Sequence, residues 1–342
     1  MPISPSHAHR VNMTLVVIMT TAHLGALLVL PAWLLLHDTA WGWLLLVPVL
    51  LTTTGWSLLH EAIHGTLTGH KRLNHVLGRW QAVLFGAPFE LLRWGHLLHH
   101  GYSRTVRERS EVFEPGGDRR LSFTIAYYFR LFGGLYVYEV LAGLLFLLPR
   151  ALVRHLAARI GGDRDLVAPL AERVMQPGVL ATVRVDVLAL MTLYGLAFWL
   201  YGAHAWMLVL ALAGRAVLIS LVDNVFHYGT PLDDTRYAHD LYLPSWASRI
   251  ILHFNLHGAH HARPGVPWHA LPELHRQRGG AHQGEFLTAL AAQLRGPIPA
   301  PLFARATTPR PDAVGTRQRR DQPASGSAKS ASISAICRTG RE

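Results

Sequence analysis

Three short stretches concentrate imidazole side chains. "HEAIHG" (60–65) holds His60 and His64, "GHLLHHGY" (95–102) holds His96, His99 and His100, and "NLHGAHHARPGVPWHALPELH" (255–275) holds His257, His260 and His261. On a helix, a spacing of four stacks two side chains on one face, and offsets of three and four keep a triple within one turn. Each set is then a claw for a first-row metal. One pair alone carries little weight, because "HEAIH" also fits the HExxH pattern of zinc proteases with Glu61 as base. Together the three sets supply eight imidazoles, more than a mononuclear zinc site uses. A two-metal centre accounts for that number. Iron is the expected metal, since imidazole and oxygen donors around a pair of irons suit O2 activation, and zinc remains chemically acceptable.

A fourth stretch, "LVDNVFHYGT" (221–230), adds His227 as a ninth candidate ligand. Asp223 lies four residues before it and Asn224 three, spacings that permit shared or water-mediated coordination from one helical face. Glu61 and Asp223 are the carboxylates expected to orient ligand imidazoles, since a metal-bound histidine donates its other N–H to such a group. His269 and His275 follow a run of prolines and are not expected to touch metal.

The elements that must carry these claws are membrane helices. Residues 11–36 contain one histidine and no formal charge, and 41–59 are also uncharged, each long enough to cross about 30 Å of hydrocarbon. Runs at 185–201 and 204–222 read as a hairpin with almost no loop. Residues 121–148 are apolar but contain Arg130, Glu139 and the pair Gly133–Gly134. A single crossing there would put the third claw across the membrane from the first two. The segment is therefore expected to lie in the interface or to re-enter, broken near Gly133–Gly134. Four crossings result, at about 12–36, 41–59, 183–201 and 204–222. The expected fold is an all-α integral membrane protein, with four transmembrane helices and a cytoplasmic helical cap carrying a histidine-rich di-iron site. Residues 1–11 form a cytoplasmic N-terminus, 12–296 the functional domain, and 297–342 a disordered tail rich in Pro, Ser, Ala and Arg. The expected location is multi-pass in a bacterial inner membrane, with the histidines on the cytoplasmic side.

The net charge of +11 does not signal nucleic acid. Its arginines follow the second apolar run, as cytoplasmic segments of membrane proteins do, and no aromatic–basic module stands out. A single cysteine, Cys337, excludes an internal disulfide and an iron–sulfur cluster held by this chain alone. Electrons for oxidative chemistry must come from a separate carrier. Arg93, Arg104, Arg107 and Arg109 are the candidate dock for an acidic one.

In order and spacing, His60-x3-His64, His96-x2-His99-His100 and His257-x2-His260-His261 resemble the three histidine boxes of the membrane fatty acid desaturase and hydroxylase family. The flanking "HEAIHG", "HHGYSRT" and the Pro-Gly-Val-Pro-Trp run after the third box add to the resemblance, which covers roughly residues 12–280. It implies a desaturase-like domain over 12–296 and a di-iron centre ligated by the eight box histidines. His227 matches the histidine that relatives place beyond the last crossing. It also implies O2 as co-substrate, a fatty acyl chain or membrane lipid as substrate, and a ferredoxin or similar donor with its reductase. Desaturation is the simplest outcome. Hydroxylation, ketolation and decarboxylation to a terminal alkene are rivals on the same scaffold, and a zinc protease or a metal transporter is the non-oxidative alternative. Asp223 stands where some relatives have asparagine. Gly258 and Ala259 occupy the third-box interior, near which relatives often carry an acidic residue.

Overall fold

Apolar runs too long for one turn of packing dictate the frame. The computed structural model describes residues 5–115, 120–162 and 165–306. Helix α1 (Pro5–His37) is a continuous apolar rod, loosened to wide turns over Gly25–Leu34 around Pro31. It starts earlier than expected, so residues 5–11 belong to the helix, with Ala8 and Asn12 buried. Helices α2 (Thr39–Leu50) and α3 (Thr52–His64) meet at a 41° bend, across which the Thr52 hydroxyl donates to Pro48 O at 3.1 Å. After α4 (Lys71–Phe85) and α5 (Phe89–Tyr102) comes the two-residue strand β1 (Val112–Phe113).

Helices α6 (Arg120–Phe129) and α7 (Leu135–Leu145) make up the segment with Gly133–Gly134, and the break expected there is present. Phe132 leaves helical geometry and Gly133 takes φ +112°, a conformation that only glycine adopts without strain. Helices α8 (Arg150–Ile160) and α9 (Val167–Val174) follow. Helices α10 (Pro177–Tyr201) and α11 (Ala205–Val225) then form the hairpin, turning at Gly202. Tyr194 donates to Leu84 O and Arg215 to Phe85 O, both at 2.9 Å. Residues on either side of the turn thus reach adjacent carbonyls at the end of α4, so α10 and α11 run antiparallel. The second bond gives the arginine inside the second helix of the hairpin a partner for one of its nitrogens.

The rest is a small cap. Strand β2 (Leu241–Tyr242), α12 (Ser245–Ile250), α13 (His257–Ala262), α14 (Leu271–Gln277), β3 (Gly284–Glu285), α15 (Phe286–Ala292), β4 (Ile298–Pro299) and α16 (Pro301–Ala306) are all short. Strand β2 pairs in parallel with β3, and β1 with β4. The second pairing corrects the expected start of the tail: residues 297–306 are folded, with Phe303 buried. The remainder, 307–342, lies outside the described residues. Trp56, Phe89, Phe226, Phe254 and Trp268 form one core that seats the cap on α3, α5 and the end of α11. Trp268 Nε1 donates to Asn12 Oδ1 at 2.9 Å, tying α1 to the cap.

Three stretches, Pro5–His37, Arg120–Leu145 and Pro177–Val225, are long and apolar enough to cross a membrane, and the bent pair α2–α3 makes a fourth. Trp33, Trp41, Trp43, Trp199 and Trp206 are exposed around the α1–α2 and α10–α11 turns, the pattern of an aromatic belt at a bilayer surface. The nine candidate ligand histidines lie toward the opposite ends of these helices.

Candidate metal centre

All nine candidate histidines converge at the junction of frame and cap. They do not stay in their sequence sets. His60, His64, His96, His100 and His260 form one group, and His99, His227, His257 and His261 form the other, with potential ligand atoms within 4.8 Å of one another in each. Helix α5 gives His96 and His100 to the first group and His99 to the second. Helix α13 does the reverse, giving His260 to the first and His257 with His261 to the second. Helical geometry explains the exchange. At about 100° per residue, positions i and i+4 differ by only about 40°, whereas i+3 lies about 60° away on the other side. The expectation of three intact claws is corrected accordingly: each HxxHH triple is split between two sites.

The distances fit metal binding. His64 and His96, His96 and His100, and His100 and His260 bring their Nε2 atoms to 3.0 Å. In the second group, His99 Nε2 is 3.1 Å from that of His227 and 3.2 Å from that of His261. A first-row ion about 2.1 Å from each nitrogen would separate its ligands by roughly 3.0–3.4 Å at angles between about 90° and 109°. His60 Nε2 and His257 Nδ1 are buried with no hydrogen-bond partner among the described residues. The donor set therefore suits two cations.

Electrostatics prepares the nitrogens. Burial first, and then the neighbouring imidazoles, hold His96, His100, His257 and His260 well below the usual histidine pKa. Burial does the same for His227 and His261, with His99 as the largest neighbour. Their neutral rings offer lone pairs. For His99, burial pulls the same way, but the Glu108 carboxylate outweighs it and raises the pKa. His99 Nδ1–H donates to Glu108 Oε1 at 2.9 Å, and His261 Nδ1–H to Thr235 O at 3.2 Å, so each turns Nε2 toward its group.

The carboxylate partners differ from those expected. Glu61 does not orient an imidazole: Oε1 accepts from Trp268 N at 3.1 Å and Oε2 from the Thr66 hydroxyl at 2.7 Å. It fastens the first box to the cap, and with both oxygens engaged it is not a free base of the HExxH kind. Asn224 turns away from the histidines and donates to Gln293 Oε1 at 2.7 Å. Asp223 faces the cavity described below and interacts electrostatically with His99. The orienting carboxylates missed in the sequence are Glu108, hidden in an arginine-rich run, and Asp240. Asp240 Oδ1 accepts from Ala259 N at 2.9 Å inside the third box, and Oδ2 accepts from His275 Nδ1 at 2.8 Å. The acidic residue absent from the box interior is thus supplied from outside it, and His275 is its buried partner.

Of the candidate docking arginines, Arg104 is withdrawn. It is 1% exposed, pairs with Glu111 at 2.5 Å and donates to Thr230 O at 2.8 Å. Arg107 donates to Asp165 O, Arg109 to Glu114, and Arg93 to Glu90.

A cavity of ≈ 1240 Å³ opens onto this centre and touches His96 and His99, one histidine from each group. Elsewhere its wall combines apolar side chains of α7, α8 and α9 with a charged stretch that includes Arg107, Glu108, Arg109 and Glu114. Comparison of the chain with curated proteins and with solved structures gives no match. The family model for fatty acid desaturases matches residues 39–283, from the start of α2 to the end of the cap's histidine-bearing part. The chain belongs to the fatty acid desaturase family and, with two histidine groups able to hold metal, is a membrane oxidoreductase of the desaturase type.

Proposed function

We propose that the nine histidines hold two irons and that the enzyme uses O2 and electrons from a separate donor to desaturate a fatty acyl chain. The observation that carries this reading is the sorting of His60, His64, His96, His100 and His260 against His99, His227, His257 and His261 into two adjoining groups with metal-ligand spacing. Iron bound there supplies O2 activation and the removal of hydrogen from an unactivated C–H bond. The chain's own part is to keep most of these imidazoles neutral by burial, to aim His99 through Glu108 and His261 through Thr235, and to anchor the helix of the third box through Asp240. It also presents substrate carbon from one direction, past His96 and His99, and surrounds that carbon with apolar wall.

The domain responsible runs from residue 12 to about 306. Four crossings, with α6–α7 re-entrant and not spanning, keep all nine candidate ligand histidines on the cytoplasmic face with Arg93, Arg107 and Arg109. The break at Gly133 and the charged residues on either side of it support that topology. An acidic ferredoxin-like carrier is the expected donor on this face. The engaged carboxylate of Glu61 speaks against a zinc protease, and ligands at helix ends, away from mid-membrane, speak against a transporter.

The test is metal analysis of purified protein combined with the lipid products of cells given isotopically labelled fatty acids. About two irons per chain and a new double bond are expected; one zinc per chain and no oxidised lipid would refute the proposal.

A further inference from the structure

The cavity is lined by Leu141, Leu145, Phe146, Leu156 and Leu170; apart from the charged residues Arg107, Glu108, Arg109, Glu114, Arg120 and Asp165, its wall carries Arg130, Glu139 and Asp223, three ionisable side chains that interact electrostatically with one another. Arg130 comes from the break between α6 and α7, Glu139 from α7 and Asp223 from α11. Packing brings them together. A Cβ on Gly133 would lie 3.1 Å from Ala216 Cβ, so the break rests directly on α11. Ala216, Ile219 and Asp223, at i, i+3 and i+7, share that face, and the last two line the cavity. Arg130 and Asp223 also act electrostatically on His99. Among the described residues none of the three side chains makes a hydrogen bond, and no carboxylate lies within 4.0 Å of the Arg130 guanidinium.

Ionisable groups that make no hydrogen bond beside apolar wall are costly, and a site that keeps three of them together has a use for them. We infer that Arg130, Glu139 and Asp223 recognise a neutral oxygen function, a hydroxyl or carbonyl, carried by an otherwise apolar lipid close to the carbon presented at His96 and His99. A hydroxyl accepts from the Arg130 guanidinium and donates to either carboxyl group, and a carbonyl uses the first of these bonds. A fatty carboxylate placed here brings a third acidic group to the Arg130 guanidinium; the other arginines that line the cavity, Arg107, Arg109 and Arg120, come from the chain that leads from α5 into α6. A plain hydrocarbon chain leaves all three polar groups unmatched. The volume agrees, being larger than the roughly 300–1,000 Å³ of ordinary small-molecule sites. This inference names the substrate class of the centre and rests on the reading that the cavity delivers substrate to it.

The experiment uses the full-length, metal-loaded protein in lipid nanodiscs and measures displacement of tritiated octadecan-1-ol, without turnover. Competitors are octadecan-1-ol, octadecan-2-one, octadecanoic acid and octadecane. The alcohol, the ketone or both should bind at least ten-fold more tightly than the acid and the alkane, and which of them leads identifies the oxygen function. Glu139→Gln removes one acidic group and should narrow the gap between alcohol and acid at least three-fold, while Glu139→Asp keeps it. Arg130→Gln should erase the advantage of the alcohol over the alkane. Acid or alkane binding as tightly as both oxygen-bearing lipids in the unmodified protein would overturn the inference. So would an unchanged alcohol-to-acid ratio in folded Glu139→Gln. Metal content is read on the same samples, so protein that ranks the lipids as stated but holds no iron would count against the di-iron reading alone.

Discussion

Replacing Gly258 by alanine should release metal from both halves of the centre. A Cβ at this position would lie 2.4 Å from Ala238 O and 3.0 Å from Asp240 Oδ1, where ordinary contact begins at 3.4 Å. Relief therefore requires a movement of about 1 Å, the difference between 3.4 and 2.4 Å. Neither obstacle gives way easily. One is main chain, and the other is a carboxylate held at 2.9 Å by Ala259 N and at 2.8 Å by His275. The helix that must move is α13, which carries His260 to one group and His257 and His261 to the other. Functional constellations tolerate about 0.5 Å of displacement, so a shift of this size misplaces three ligands together.

Overpacking of this kind costs about 1–3 kcal/mol. The expected result is less than half the normal metal content and a melting temperature lowered by several degrees, measured by elemental analysis and a thermal melt in detergent. Gly101→Ala is the control: it lies at the end of the second box, but its Cβ would meet nothing within 4 Å, so it should retain full metal. A Gly258→Ala protein with full metal and an unchanged melt would refute the packing argument, and the third-box interior would then need another explanation than the room Asp240 requires.

Cobalt titration of single histidine-to-alanine variants should show two classes. His64→Ala and His260→Ala should impair one binding step and His227→Ala and His257→Ala the other; a single class would contradict the sorting. For the metal-free protein, His96, His100, His227, His257, His260 and His261 have folded pKa values well below 6.5. The unfolded state then binds more protons than the folded state from those depressed values up to about pH 6.5. Stability should rise with pH across that window and level off above it. A melting temperature that does not fall between pH 7 and pH 5 would contradict this. Arg104→Ala leaves Glu111 buried and unpaired and should cost about 3–5 kcal/mol, read from chemical or thermal unfolding, with the Michaelis constant for the electron donor unchanged. Ending the chain after Ala306 should leave activity intact. Ending it after Gly296 removes β4 and the buried Phe303 ring and should lower stability by about 2 kcal/mol or more, visible as a lower melting temperature.

How much was legible in the sequence depended on the range of the interaction that decides each feature. The histidine sets are local, set by helical offsets, and the apolar runs need only counting. The break at Gly133 was also local, because a glycine pair amid charged residues is a poor helix interior. Arg104 was misjudged because a run of arginines reads as an exposed basic face. Nothing nearby in sequence shows that one of them is buried against Glu111, Thr230 and Pro231. Glu108 was lost in the same run. The folded start of the tail depends on Ile298 and Pro299 pairing with Val112 and Phe113, a contact that composition cannot display. Glu61 is expected to orient an imidazole because metal-bound histidines need a carboxylate partner, but which carboxylate serves is decided by the fold, and that of Glu61 reaches Thr66 and Trp268.

The exchange of ligands between α5 and α13 has a consequence for how the centre assembles. Were each triple to hold its own metal, the two sites would be independent and either helix could shift without disturbing its neighbour's ion. Here each helix contributes to both groups, two histidines to one and one to the other. Binding at one group fixes α5 and α13 relative to each other, and that fixed relation is what the second group needs. The first ion therefore removes part of the ordering cost of the second, which is positive cooperativity without any contact between the ions. The two carboxylates absent from the boxes act on the same relation: Glu108 sets the ring of His99 from α5's side, and Asp240 anchors α13 at Ala259. They are placed to hold the helices in register before metal arrives. Metal binding to this chain should accordingly be steeper than two independent sites allow, and loss of Asp240 should flatten it.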